Sequence, residues 1–315
     1  METDVYRPIA GDLRRVNEAI EGVAHAPNAM TSGAAQRLAH VLAIPGKRLR
    51  PAITLLASRL WGGPSSKRVV AMAVAIELLH IATLVHDDTV DHADLRRGHA
   101  TAANLWGPAV ALVIGDYLFA TSARFVCDTN DLRVIRRFSE NSRELARGEL
   151  TELLDLGSPR VTREIYEQRI YDKTASLFTT AAEGGAILGG ADEEGVERLR
   201  AYGYNVGMAY QVMDDVLDFE STPETLGKPA GQDLAGGTVT LPAILVMERS
   251  PGPSAVSELL AAGAEAEPAL VERAVSEVKS SGALAEARGV VEGYIGAAVK
   301  ALKPLPASPE RDSLL

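Results

Sequence analysis

Two acidic clusters carry the chemistry that stands out first: Asp87-Asp88-Thr89-Val90-Asp91 and Asp214-Asp215-Val216-Leu217-Asp218. Each lies in an apolar, helix-like run, where a carboxylate without a counter-ion is costly. Residues i and i+4 share a helix face, so Asp87 with Asp91, and Asp214 with Asp218, can hold one cation while Asp88 points aside. A set of carboxylate donors favours Mg²⁺ or Ca²⁺ over zinc, and Mg²⁺ draws its other ligands from water and substrate phosphates. The third party is then a phosphorylated ligand. Either cluster alone reads as a solvated helix end. Their recurrence in apolar settings argues for a paired metal site.

Basic side chains stand where such a ligand needs them. Gly46-Lys47-Arg48-Leu49-Arg50-Pro51 marks a helix entry, where backbone N–H groups and fixed cations share an anion. Arg96-Arg97-Gly98 follows the first cluster and offers forked donors to phosphate oxygens. Arg48 itself reads as ordinary surface charge. Lys173-Thr174 and Gln211 are polar points in apolar runs; taken alone, Thr174 and Gln211 read first as satisfied core groups, and Lys173 reads equally as an edge lysine whose stem snorkels. His80 lies two helical turns before Asp87 and on its side of the helix; a lone helix histidine is more often structural.

The elements that must position these groups are helices. Of 315 residues, 46% are apolar and only 5% aromatic, and no alternating strand pattern interrupts the chain. Helical periodicity covers residues 12–20, a run from Ala35, then 51–60, 68–91, 109–126, 131–154, 163–188, 193–219 and a run from Leu241. A Gly- and Pro-rich loop at 221–239 is long enough to act as a lid. Residues 303–315 read as a loose tail. The expectation is one all-α domain over 1–315, a single large helical bundle around a central cavity. A net charge of −10 argues against nucleic-acid binding. Cys127 is the single cysteine, which excludes an internal disulfide and a cysteine-based zinc site. No secretory pattern opens the chain and no uninterrupted apolar run reaches the roughly 18 residues of a membrane span, so a cytoplasmic location is expected.

Taken in order, GKRLRP, HDDTVDHADLRRG, YDKTASLF, YQVMDDVLDF, LGKPAGQDL and TLP resemble the trans-isoprenyl diphosphate synthase family over residues 46–242. The resemblance implies an all-α homodimer that condenses isopentenyl diphosphate with an allylic prenyl diphosphate, 1'-4 and head to tail. Three Mg²⁺ ions would bridge the aspartate motifs through the allylic diphosphate. By position, Lys47, Arg50, His80 and Arg97 match the isopentenyl diphosphate pocket, and Arg96, Lys173 and Lys228 the allylic diphosphate contacts. Asp87, Asp91 and Asp214 match the direct metal ligands. Asp88, Asp215 and Asp218 match groups that support the ligands from behind or act through water, and Asp155 an acid that the family also keeps. Thr174 and Gln211 match the polar groups beside the developing allylic cation. Two positions depart from the pattern: Glu152, where glutamine is commoner, and Thr238, where a lysine contacts the allylic diphosphate.

Product length is expected to be read by the residues upstream of Asp87, here Thr83, Ala82 and Leu79. Farnesyl synthases tend to place an aromatic at one or both nearer positions. Ala82 and Thr83 leave that space open, similar to medium- and long-chain polyprenyl synthases, so a product of geranylgeranyl length or longer is expected. Tyr117, Phe119 or Phe125 on the next helix are the alternative floor. A class I terpene cyclase normally replaces the second cluster with an Asn/Ser/Glu motif and has no use for Lys47, Arg50 and His80. A regulatory or prenyl-lipid-binding subunit of a heteromeric synthase usually has eroded motifs, whereas both clusters are complete here.

Overall fold

The computed structural model describes residues 5–25, 31–220, 230–249, 252–263 and 266–315. The all-α expectation holds: apart from one two-residue hairpin, the regular elements among the described residues are helices. The chain divides into two compact units, residues 1–139, 180–200 and 302–315 in the first, and 140–179 and 201–301 in the second. Where the sequence reads as one undivided domain, the divisions near 139, 179, 200 and 301 fall inside helices. No linker composition marks them.

In the first unit, α1 (Ala10–Ala24), α2 (Ser32–Ala43) and α3 (Leu49–Arg59) precede α4 (Lys67–Val90). The second helix starts at Ser32 rather than Ala35 because the Thr31 side chain caps it, accepting from the Ala34 N–H. Ser66 caps α4, whose residues from Met72 to Leu79 are all buried and, Glu77 excepted, apolar on every side. Beyond α4 comes the hairpin β1 (Leu95–Arg96) and β2 (His99–Ala100), paired antiparallel. Its turn residues Arg97 (φ 52°) and Gly98 (φ 80°) both have positive φ, as tight hairpin turns require. Two-residue strands are too short to leave an alternating pattern. Helices α5 (Ala102–Trp106) and α6 (Pro108–Cys127) follow, and α6 packs along α4.

The last residues are not a loose tail. Ser308 caps a helix at Pro309–Leu314, Arg311 Nη1 donates to the Leu305 carbonyl at 2.8 Å, and Leu305 and Leu314 are buried. Those two leucines supply the apolar contact that the polar sequence around them disguised.

The second unit takes its core from Tyr166, Met208, Phe219, Ile244 and Leu259 among others. It receives most of α7 (Leu132–Asp155), then α8 (Arg163–Ile170), a π-helical turn at Tyr171–Ala175 and the start of α9 (Ser176–Gly189). The expected unbroken helix over 163–188 is thus widened at Lys173 and Thr174, a distortion that frequently marks functional sites. Gly148 on α7 makes this approach possible: a Cβ there would stand 2.7 Å from the Lys173 nitrogen. Helix α10 (Glu193–Glu220) carries the second acidic cluster, and α11 (Gln232–Ala235), α12 (Leu241–Arg249), α13 (Ala255–Ala262), α14 (Pro268–Ser280) and α15 (Ala283–Leu302) follow.

Candidate active site

In the first unit, the last turn of α4 presents Asp87, half-buried, and Asp91, exposed. The Asp91 N–H donates to the Asp87 carbonyl at 2.8 Å, which ends the helix with both carboxyl groups one turn apart. Asp88 is buried and has another task. Arg96 Nε and Nη2 both donate to its Oδ1, at 2.8 and 2.5 Å, so Asp88 fixes the hairpin arginine.

Two turns upstream, Arg50 Nη1 lies 3.2 Å from His80 Nε2. A guanidinium only donates, so Nε2 accepts and the ring proton sits on Nδ1. Burial, followed by the charges of Arg50, Arg97, Arg96 and Arg48, holds His80 well below the ordinary histidine range and keeps it neutral. Four guanidinium groups therefore act on one imidazole. Gly46 admits them: a Cβ there would stand 2.8 Å from Arg97 Nη1 and 3.6 Å from Arg48 Nη1. Arg97 also donates to the Pro45 carbonyl, while the Lys47 carbonyl accepts from Tyr6 Oη at 2.7 Å and Lys47 itself is exposed. Arg48 is not ordinary surface charge. It precedes α3 with φ 52° and bonds Glu77, 4% exposed, at 2.6 Å. Such a positive pocket accepts an anion with forked oxygens.

Leu79 and Ala82 are buried on α4, and Thr83, half-buried, donates to the His80 carbonyl at 2.8 Å. Helix α6 buries small residues, Ala111, Gly115 and Ser122, together with Leu118 and Val126. Phe119 is 41% exposed and cannot floor a cavity within this unit; Tyr117 and Phe125 are half-buried.

In the second unit, Asp214 is exposed, Asp215 buried and Asp218 half-buried. Tyr166 Oη donates to Asp215 Oδ2 at 2.6 Å, and Gln211 Nε2 to its Oδ1 at 2.8 Å. Thr174 Oγ1 donates to Gln211 Oε1 at 2.7 Å. This relay fixes the rotamers of Thr174 and Gln211 from a buried anchor. Burial pushes Asp215 up to about 6, against the two hydrogen bonds that stabilise its charge. Asp218 caps α11, accepting from the N–H groups of Gln232 at 3.2 Å and Asp233 at 3.4 Å. Asp214, though its side chain reaches solvent, is raised by partial desolvation against the neighbouring helices and then by Asp218. Asp233 is pushed up to about 7, by burial first and then by Asp218, Asp215, Asp214 and Glu152. A bound cation relieves this accumulation of negative charge.

Lys173 Nζ sits 2.6 Å from Glu152 and 2.9 Å from Glu149. Beside it, Arg147 forks onto buried Asp172 at 2.7 and 2.6 Å. Asp155 is half-buried and ends α7, its carbonyl accepting from Ser158. Lys228 and residues 221–229 of the expected lid lie outside the described residues.

Sequence reasoning missed Glu77, Tyr166 and Asp233. Asp233 follows Gly231-Gln232 within the quoted LGKPAGQDL run, so its signal was present; Glu77 and Tyr166 are identified only by long-range partners. Among the described residues, no three His, Cys, Asp or Glu side chains are gathered as a ready cation cage. Asp88, Asp215 and Asp218 are turned to protein partners. The acidic groups of the two clusters offer oxygen ligands only, a donor set that suits Mg²⁺ completed by phosphate and water.

The family described as polyprenyl synthetase matches residues 33–278. The chain is 35% identical to an all-trans-nonaprenyl-diphosphate synthase (geranyl-diphosphate specific) of Rhodobacter capsulatus over 99% of this chain and 94% of that one. It is 36% identical to heptaprenyl diphosphate synthase component 2 of Geobacillus stearothermophilus, over 98% and 95%. The crystal structure of heptaprenyl diphosphate synthase from Staphylococcus aureus is similar at a TM-score of 0.92 and 32% identity, covering 100% of this chain and 96% of that one.

Proposed function

The chain belongs to the polyprenyl synthetase family, and from that premise we propose how its residues divide the work of a trans-polyprenyl diphosphate synthase. The enzyme is a prenyltransferase that joins isopentenyl diphosphate to an allylic diphosphate, 1'-4 and head to tail. The observation that carries the assignment is the gathering of arginines two turns from the Asp87 end of α4, with Arg50 Nη1 3.2 Å from His80 Nε2 and Arg48 and Arg97 both against Gly46.

Lys47, Arg50, His80 and Arg97 hold the diphosphate of isopentenyl diphosphate, the uncharged imidazole offering Nδ1–H without adding to the repulsion among the arginines. Arg96, Lys173 and Lys228 hold the allylic diphosphate. Asp87, Asp91 and Asp214 are the residues that would ligate Mg²⁺, three ions being expected, while Asp155 acts on them through water. Magnesium, when bound, supplies Lewis-acid stabilisation of the departing diphosphate. Asp88 contributes by orienting Arg96, and Asp215 by orienting Gln211. Asp218 contributes by holding α11 and Asp233 against the cluster.

Cleavage of the allylic C–O bond leaves a cation. The hydroxyl oxygen of Thr174 and the carbonyl oxygen of Gln211 supply fixed dipoles toward it, held by the Asp215–Tyr166 anchor. The isopentenyl double bond attacks that carbon, and a proton then leaves to the released diphosphate. Apolar residues of α4 exclude water from the cation.

Ala82 and Thr83 leave room for products longer than farnesyl. The apolar residues that α6 exposes, Val110, Leu112, Val113 and Phe119, support a homodimer through that face. Helices α4 and α6 are long and apolar enough to cross a membrane, yet 78% of the α4 window is buried as core, and we place the enzyme in the cytoplasm. The test is mass spectrometry of products made by the purified chain alone from geranyl, farnesyl and geranylgeranyl primers. Products longer than farnesyl are expected, and Ala82→Phe shortens them; cyclised products, or an unchanged length in the variant, would contradict the assignment.

A further inference from the structure

Lys173 is assigned above to the allylic diphosphate, yet its ammonium is already engaged. It lies 2.6 Å from Glu152 Oε1 and 2.9 Å from Glu149 Oε2. The two glutamates are i and i+3 on α7 and share one face. Gly148 brings that face onto the π turn, since its missing side chain would collide with the Lys173 backbone. The side chains of Lys173, Glu149 and Glu152 are 27%, 25% and 23% exposed, so the three ions are partly withdrawn from water and interact more strongly than a free surface pair. Glu152 is further held 4.0 Å from Arg169 Nε, a nearly buried guanidinium.

We propose that Glu149 and Glu152 form a carboxylate cradle that competes with the allylic diphosphate for Lys173, with Glu152 the positioning residue that sets the enzyme's affinity for allylic diphosphates. The proposal rests on the reading of Lys173 as a diphosphate contact. One ammonium between two carboxylates carries a local charge of −1, so an arriving diphosphate meets the repulsion of both carboxylates and competes with them for the ammonium. The same competition eases release. Each added isoprene unit buries more apolar surface, and once the product, which carries the diphosphate of isopentenyl diphosphate, shifts into the allylic subsite for another round, the weakened head-group contact there offsets that gain. Glu152 makes the shorter contact to Lys173 and also lies 4.0 Å from Arg169 Nε, a second cation that helps to hold it in place.

The test is isothermal titration calorimetry of farnesyl thiodiphosphate, a poorly ionising allylic ligand, with Mg²⁺ present, alongside steady-state kinetics. Glu152→Gln is expected to tighten binding about two- to fivefold and to lower the allylic KM in parallel, with the KM for isopentenyl diphosphate unchanged. Lys173→Ala weakens binding, and adding Glu152→Gln in that background changes it by less than about 1.5-fold. Unchanged or weaker binding in Glu152→Gln while Lys173→Ala is impaired overturns the cradle and leaves the assignment of Lys173 standing. Equal tightening with and without Lys173 also overturns it, because Glu152 would then act on the ligand directly. If Lys173→Ala binds as the wild type does, both the assignment and the cradle fall.

Discussion

The carboxylates of the two clusters differ in what they face. Asp88 grips Arg96, Asp215 anchors Gln211 and Tyr166, and Asp218 caps a helix, whereas Asp87, Asp91 and Asp214 are the ones assigned to cations. Spacing along a helix separates these classes only in part, because the partners come from Tyr166, Gln232 and a hairpin arginine whose proximity no local pattern records. His80 shows the same limit. Its place beside Asp87 was legible; its neutrality was not, since that follows from burial and from arginines contributed by three elements. A pH dependence follows. His80 has a depressed pKa in the native state, so between that value and about 6.5 the unfolded chain binds a proton that the native chain does not. The contribution of His80 to stability is therefore present above about 6.5 and is lost as pH falls below it, by up to about 1.4 kcal/mol per pH unit. Urea unfolding of the wild type and of His80→Asn, at about pH 7.5 and pH 5.5, should show the smaller loss in the variant; equal losses would contradict a depressed His80.

At the scale of elements, the long apolar helices announced themselves, α4 above all, because burial on every side leaves a continuous apolar record. The π turn at Tyr171–Ala175 did not. It lies where α7 comes closest, at Gly148 against the Lys173 backbone, and a periodicity of side chains cannot report an extra backbone residue in a turn. The hairpin that aims Arg96 and Arg97 was likewise hidden by its two-residue strands, although Arg97-Gly98 held its turn chemistry. Gly148→Ala tests the first contact. The added Cβ would stand 2.7 Å from the Lys173 nitrogen and 2.9 Å from Asp172 Cβ, so backbone must move. A stability loss of about 1–3 kcal/mol is expected, with the KM for the allylic substrate rising more than that for isopentenyl diphosphate. Unaltered stability and an unaltered ratio of the two KM values would show that the approach does not position Lys173.

For the whole molecule, the acidic clusters that make the chemistry legible belong to different compact units, 1–139 with 180–200 and 302–315, and 140–179 with 201–301. A chain that passes between units inside helices leaves no linker to read, which is why it reads as a single domain, and why the final helix, held by Leu305 and Leu314, reads as a tail. The central claim is that both clusters serve one Mg²⁺-dependent condensation, and it is tested most directly by that reaction in single variants. Transfer of radiolabelled isopentenyl diphosphate onto an allylic primer, with Mg²⁺ titrated, should fall by about 10³-fold or more in Asp87→Ala and also in Asp214→Ala, with the fold retained by circular dichroism. Near-normal turnover by either variant would contradict the account.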